Sequence, residues 1–182
     1  MTESDFSARD LVLARIRDVP DFPEPGIVFK DITPLLADPA AFAAVVSEFS
    51  SLAGRLGPVD KIVGIEARGF ILAAPVAVQL GVGFVPVRKE GKLPGATLQA
   101  SYALEYGEAT IEVVADAFAA GDRVLVIDDV LATGGTAEAT IDLVRRAGAE
   151  VVGVAVLLEL SFLAGRSRLA SAGDDVHALI TV

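Results

Sequence analysis

Apolar and polar positions along this chain follow two periods. Short apolar runs at Lys61–Ile65, 84–87, 123–127, 151–158 and Val176–Thr181 are rich in valine and isoleucine, the pattern of strands buried on both faces. Between them lie segments with helical spacing. The first covers residues 7–18, with Leu11, Ala14 and Ile16 apolar and Arg15 and Arg17 polar. The second opens at Asp38, an N-cap with Pro39 in the first helical position, and ends near Gly57. Residues 69–80 and 136–147 form two more, the latter with Ala139, Leu143 and Ala147 in register, and a short helix is expected near 162–169. Pro20, Pro23, Pro25 and Gly26 force an extended loop, followed by a short strand at 27–29. Between Gln99 and Ala115 the pattern changes to alternation (Tyr102, Leu104, Tyr106, then Ile111, Val113), which predicts a β-hairpin. Strands alternating with helices predict an α/β fold, a doubly wound, mostly parallel sheet flanked by helices, with the hairpin as a small lid. One domain over residues 1–182 is expected, with any ligand outside the carboxyl ends of the strands.

The most specific segment is Val124-Leu-Val-Ile-Asp-Asp-Val-Leu-Ala-Thr-Gly-Gly-Thr136. Its pattern places the adjacent carboxylates Asp128 and Asp129 at the end of a buried strand. A small-residue turn, Ala132-Thr-Gly-Gly-Thr136, then opens a helix. Amide N–H groups of such a turn and of the helix N-terminus cradle a phosphate dianion, aided by the Thr133 and Thr136 hydroxyls. Gly134 and Gly135, lacking side chains, let the backbone approach the oxygens closely. The two acids accept hydrogen bonds from vicinal hydroxyls, as an acidic residue does for ribose in dinucleotide folds. The plainer reading is a strand-to-helix turn capped by Asp129. The acidic pair and the flanking threonines favour a sugar-phosphate site, and the segment has neither G-x-x-x-x-G-K-[ST] nor G-x-G-x-x-G.

Three other segments carry candidate chemistry. Ile62-Val-Gly-Ile65 leads into Glu66-Ala-Arg-Gly-Phe70, again a strand, a tight turn and a helix. Arg68 there stands at a carboxyl end, suited to bidentate phosphate binding, the alternative being a surface arginine paired with Glu66. Arg88, Lys89 and Lys92 cluster in one basic loop, where solvated charge is the ordinary explanation and pyrophosphate contact the sharper one. The hairpin residues Tyr102, Glu105 and Tyr106 suit a closing lid and equally an edge hairpin with surface tyrosines. Phe29 either stacks on a base or lies in the core, as most phenylalanines in short strands do.

Composition removes chemistries more than it adds them. Apolar residues make up 53% of 182, yet no run approaches the ~20 residues of a membrane span. The N-terminus has no charged start followed by an apolar run, and cysteine is absent, so a cytoplasmic location is expected. Disulfides, thiolate zinc sites and cysteine nucleophiles are excluded. A histidine-based triad or metal site would rest on His177 alone, in an apolar C-terminal strand. The net charge of −10 argues against nucleic-acid binding, while the local basic clusters still allow an anionic substrate.

Five segments together resemble the adenine phosphoribosyltransferases, a family of type I phosphoribosyltransferases. They are Pro23-Glu-Pro-Gly-Ile-Val-Phe-Lys-Asp-Ile-Thr33, Gly64-Ile-Glu-Ala-Arg-Gly-Phe70, Val85-Pro-Val-Arg-Lys-Glu-Gly-Lys-Leu-Pro94, Tyr102-Ala-Leu-Glu-Tyr-Gly107 and Val126-Ile-Asp-Asp-Val-Leu-Ala-Thr-Gly-Gly-Thr136. The last identifies the superfamily and the first four the adenine branch. The resemblance covers about residues 20–169. It implies transfer of ribose 5-phosphate from phosphoribosyl pyrophosphate to adenine, giving AMP and pyrophosphate in purine salvage, with Mg²⁺ carried by the substrate and no metal ligand assigned. It implies that Ala132, Thr133, Gly134, Gly135 and Thr136 hold the 5-phosphate, while Asp128 and Asp129 face the ribose hydroxyls. By the same resemblance Arg68, Lys89 and Lys92 meet pyrophosphate, one of them from the partner of a homodimer. Phe29 stacks on adenine, Tyr106 joins the substrate-binding residues, and Glu105 assists proton transfer from the lid, with Arg68 as the second catalytic residue. Nothing functional is assigned to 170–182. Two alternatives stand beside this reading: the same chemistry on xanthine or guanine, and a non-catalytic phosphoribosyl-pyrophosphate-sensing regulator, which would need a DNA-binding extension or basic face that the sequence lacks.

Overall fold

Valine- and isoleucine-rich runs become the inner strands of a seven-stranded sheet, and the proline-rich N-terminal region forms its own small hairpin. The structure is a computed structural model and describes residues 8–103 and 107–182. The chain forms two compact units, Met1–Glu48 and Phe49–Val182.

In the first unit, α1 (Ala8–Leu13) is shorter than the expected helix, because the chain turns at residues 14–15 and enters β1 (Arg17–Pro20). β1 pairs antiparallel with β2 (Val28–Asp31), Val19 opposite Phe29. The proline-rich stretch is the loop of this hairpin: Pro20 closes an edge strand, where a missing N–H costs no ladder bond. A short helix α2 (Thr33–Ala37) follows, with Pro at its start. Asp38 then caps α3 (Pro39–Leu56) as its sequence indicates, its Oδ1 accepting from the amides of Ala40 and Ala41 at 3.0 Å.

The second unit contains β3 (Lys61–Ile65), α4 (Arg68–Leu80), β4 (Gly83–Lys89), β5 (Thr97–Ala103), β6 (Glu108–Val114), β7 (Arg123–Leu131), α5 (Gly135–Arg146), β8 (Glu150–Glu159), α6 (Gly165–Ser171) and β9 (Val176–Thr181). Their order across the sheet is β5-β6-β4-β3-β7-β8-β9. The five strands from β4 to β9 are parallel, and the β5–β6 hairpin extends the sheet antiparallel to β4. Helices cover both faces. Val63, Ile65, Val124 and Val126 share a core with Ile141, Leu143 and Val144 of α5. The alternate residues Ile62, Leu125 and Ile127 point to the other face. There Gly64 is so close to α4 that an added Cβ would meet the Ala73 methyl at 2.9 Å.

Two strand ends differ from the sequence reading, and both matter for the site. β4 runs on to Lys89, so Arg88 and Lys89 belong to a strand, opposite Glu112 and Ile111 of β6, and only Lys92 lies in the loop. β7 continues past the acidic pair to Leu131 because its ladder with β8 persists, Val130 opposite Leu158 and Leu131 opposite Glu159. Among the described residues no helix is long and apolar enough to cross a membrane.

Leu125, fully buried in the central strand, anchors the face under α4. Leu125→Ala should lower unfolding free energy by about 2–5 kcal/mol, measured by urea titration, because the strand's neighbours cannot collapse into the space left.

Candidate functional site

The acidic pair is built into the middle of the sheet rather than its margin. Asp129 is 5% exposed and Asp128 half-buried. The Asp129 amide donates to Asp128 Oδ1 at 2.9 Å, and Asp129 Oδ2 lies 2.6 Å from Arg68 Nε. Burial pushes the Asp128 carboxyl well above the usual range, reinforced by the Asp129 charge. Burial also raises Asp129, with the Arg68 guanidinium opposing it. Arg68 therefore pairs with Asp129, not with Glu66 as the surface alternative supposed. Gly69 fits the first turn of α4 against this pair: an added Cβ would stand 2.8 Å from Asp128 Oδ1 and 2.9 Å from the Ile127 carbonyl.

From β7 the chain turns through residues 132–136 into α5. Gly134 has φ of +84°, the left-handed conformation that glycine adopts without penalty, and is the N-cap residue of α5. Asp128, the turn residues from Ala132 through Thr136 and Val156 line a concavity of about 360 Å³. Thr133 is exposed there and Thr136 half-buried. The amides that open a twelve-residue helix face an anion with favourable dipole and unsatisfied donors.

The two glycines are also packed against other parts of the chain. Their missing side chains also make room for neighbouring protein. A Cβ on Gly134 would lie 3.1 Å from the Gly165 carbonyl, and one on Gly135 would lie 3.1 Å from Tyr102 Cδ2. Gly165 is tighter still: its Cβ would fall 2.2 Å from the Ala132 carbonyl oxygen. The turn is thus pressed between the start of α6 and the end of β5. Arg168 of α6 clasps Glu138 in the first turn of α5, Nε to Oε2 at 2.7 Å. Arg166 holds α6 to the sheet through a two-point bond with Glu159, at 2.8 and 2.6 Å.

The basic cluster surrounds another acid. Glu66 accepts from the Lys89 amide at 3.0 Å, from Arg88 Nε at 3.3 Å and from the Lys92 ammonium. Burial pushes the Glu66 carboxyl up, but Lys92, the Lys89 amide and Arg88 outweigh it and bring it down to about 2. The Lys89 side chain is exposed and makes no ion pair among the described residues.

In the first unit, Phe29 is half-buried rather than core. It packs edge-on against Phe22, ring centroids 5.2 Å apart at 80°, and lines a hollow of about 430 Å³ with Val19, Phe22 and Asp31. Glu105 and Tyr106 lie outside the described residues. His177 pairs with Asp175 at 3.1 Å in the C-terminal region.

The structure brings Arg68, Asp128, Asp129 and the 132–136 turn together, and gathers Lys89 and Lys92 around Glu66. Sequence reasoning missed Tyr102, Gly165 and Arg168 as neighbours of the turn. Gly165 opens the segment Gly-Arg-Ser-Arg-Leu169, and its glycine was the available signal.

An acidic pair leading into a small-residue turn at a helix N-terminus on a parallel sheet has the form of the phosphoribosyltransferase class. The chain belongs to the phosphoribosyltransferase family: the family model described as "Phosphoribosyl transferase domain" matches residues 35–176. Its relatives in that family are adenine phosphoribosyltransferases. The one from Streptomyces coelicolor is 67% identical over 175 residues, covering 95% of this chain and 96% of its own. The crystal structure of adenine phosphoribosyltransferase from Rhodothermus marinus matches with a TM-score of 0.89 at 55% identity, covering 96% of this chain and 98% of that one. The Saccharomyces cerevisiae enzyme, solved with an imino-altritol bisphosphate and adenine, matches at 0.90 and 38% identity, covering 94% and 98%.

Two outcomes test this geometry. Gly134→Val should abolish phosphoribosyl-pyrophosphate binding by calorimetry while circular dichroism stays native. Valine disfavours the +84° φ and drives its Cβ into Gly165, so the turn must move. Glu66, with a folded pKa lowered to about 2, contributes stability above its unfolded value of ~4.3 that is lost as pH falls through the folded value. Chemical denaturation should therefore show Glu66→Gln least stable relative to wild type at neutral pH, with the gap closing towards pH ~2.

Proposed function

We propose that the chain transfers ribose 5-phosphate from phosphoribosyl pyrophosphate to N9 of adenine, releasing pyrophosphate and AMP, as a cytoplasmic homodimer in purine salvage. One observation carries this reading: the Asp128–Asp129 pair running directly into the 132–136 turn at the N-terminus of α5. The names of the relatives favour adenine over another purine and catalysis over a sensor.

In this reading the turn amides and the Thr133 and Thr136 hydroxyls hold the 5-phosphate, and Asp128 and Asp129 accept the ribose hydroxyls. Arg68, Lys89 and Lys92 receive the pyrophosphate, one of them from the partner subunit, and Phe29 stacks on adenine. The C1–oxygen bond to pyrophosphate breaks with its electron pair on oxygen, leaving an oxocarbenium-like ribose, as at glycosidic centres. The N9 lone pair of adenine closes the new bond, and the N9 proton leaves towards the lid carboxylate Glu105. No protein nucleophile is needed. The cations counter charge growing on the departing oxygen, where electrostatic stabilisation has its largest effect.

Magnesium belongs to the substrate in this scheme. Asp128 and Asp129 offer hard oxygen donors that suit it, and the described residues contain no group of three or more His, Cys, Asp or Glu side chains able to hold it. When bound, Mg²⁺ would supply positive charge against the departing pyrophosphate, with Asp128 and Asp129 the oxygen donors able to hold it.

Incubation with Mg²⁺, phosphoribosyl pyrophosphate and each purine in parallel should give AMP far faster than any product of guanine, hypoxanthine or xanthine. Preference for a 6-oxopurine would overturn the assignment of substrate. Arg68→Ala should lower kcat/KM at least tenfold, the loss of a charge-assisted bond of ~1.5–3 kcal/mol. Wild-type kinetics from the folded variant would remove Arg68 from the mechanism.

A further inference from the structure

Glu112 is a buried carboxylate that the scheme above does not use. It stands on β6 between Ile111 and Val113 and is 2% exposed. It has no ion pair among the described residues, and its four hydrogen bonds come from uncharged donors. Oε1 accepts from the amides of Lys92 and Leu93, both at 2.9 Å. Oε2 accepts from Thr97 Oγ1 at 3.2 Å and Gln99 Nε2 at 3.3 Å. Glu112 lies opposite Arg88 across the β4–β6 ladder, and Arg88 Nη1 donates to the Lys92 carbonyl at 3.1 Å. The main chain of Lys92 is thereby held at both ends, its N–H by Glu112 and its C=O by Arg88, while Glu66 holds its ammonium.

Burial pushes the Glu112 carboxyl up, but its four hydrogen-bond donors outweigh it and hold it below the usual range, so the charge is anchored against the 92–93 backbone. Lys92 itself is a loop residue with a side chain 45% exposed, which by itself needs no fixed backbone. We propose that Glu112 is a positioning residue for pyrophosphate: it fixes the backbone of residues 92–93 so that the Lys92 ammonium is delivered in one place to the leaving group. The inference rests on the role given to Lys92 above.

The test compares Glu112→Leu, Glu112→Gln, Lys92→Ala and the double variant Glu112→Leu/Lys92→Ala. Calorimetry with Mg²⁺ and phosphoribosyl pyrophosphate gives affinity, steady-state kinetics separates KM from kcat, and thermal melts establish folding. Glu112→Leu should weaken phosphoribosyl-pyrophosphate affinity about tenfold, equivalent to ~1.4 kcal/mol, with adenine KM unchanged. Glu112→Gln, whose amide oxygen can still accept from both backbone donors, should restore most of that loss. In the Lys92→Ala background, Glu112→Leu should cost little further affinity, because the group it positions is gone. If Glu112→Leu does not fold, Glu112→Asp, one methylene too short to reach both amides, replaces it with the same expectation. A folded Glu112 variant with wild-type affinity, or losses that add fully to those of Lys92→Ala, would overturn the proposal. A Lys92→Ala protein with wild-type affinity would instead remove the premise about Lys92, a result distinct from either.

Discussion

Two neighbouring carboxylates in the central strand, Asp129 buried and Asp128 half-buried, set the terms for everything around them. Taking Asp128 and Asp129 out of water disfavours their charged forms, and the Asp129 charge adds to the cost at Asp128. Their surroundings answer that cost with position. Asp129 draws in Arg68, and the Asp129 amide donates to Asp128. Gly69 carries no side chain, so the first turn of α4 rests directly on Asp128. The acid pair thereby ties β3, α4 and β7 into one corner and leaves the 132–136 turn beside it.

The same logic of paired charge runs through the basic groups. In a chain of net charge −10, Arg68 is already matched to Asp129, and Arg88 and Lys92 to Glu66. These cations are thus already paired with fixed carboxylates, while the Lys89 side chain is exposed and makes no ion pair among the described residues. The 132–136 turn is under a different constraint. It is held by backbone contact with Gly165 and by Tyr102 against Gly135, with the Arg168–Glu138 clasp joining α6 to α5. Rigid placement of donors before the ligand arrives is what electrostatic catalysis requires.

Much of this was legible in the sequence, because the informative signals are local. Strand β3 and strand β9 have the bounds their valine-rich runs indicate, and the Asp38-Pro39 start of α3 is a self-contained capping signal. The acid pair, the turn and Arg68 could be placed together from strand-turn-helix order alone. What was not legible depends on partners distant in the chain. β7 outruns its apolar stretch because β8 continues the ladder beside Val130 and Leu131, and Arg88 and Lys89 join a strand because β6 pairs with them. The packing around Gly134 and Gly135 was hidden for the same reason: nothing in a turn announces that Gly165 or Tyr102 will stand against it. Phe29 likewise reads as core by residue type, yet a two-stranded hairpin has too little over it to bury the ring.

The central claim is that the turn after the acid pair is the seat of a sugar phosphate. A crystal structure of the protein soaked with ribose 5-phosphate tests it most directly. The account places the phosphate oxygens within hydrogen-bond distance of the amides of residues 133–136, with sugar hydroxyls on Asp128 and Asp129. Phosphate density elsewhere, with the turn left to solvent, would contradict it.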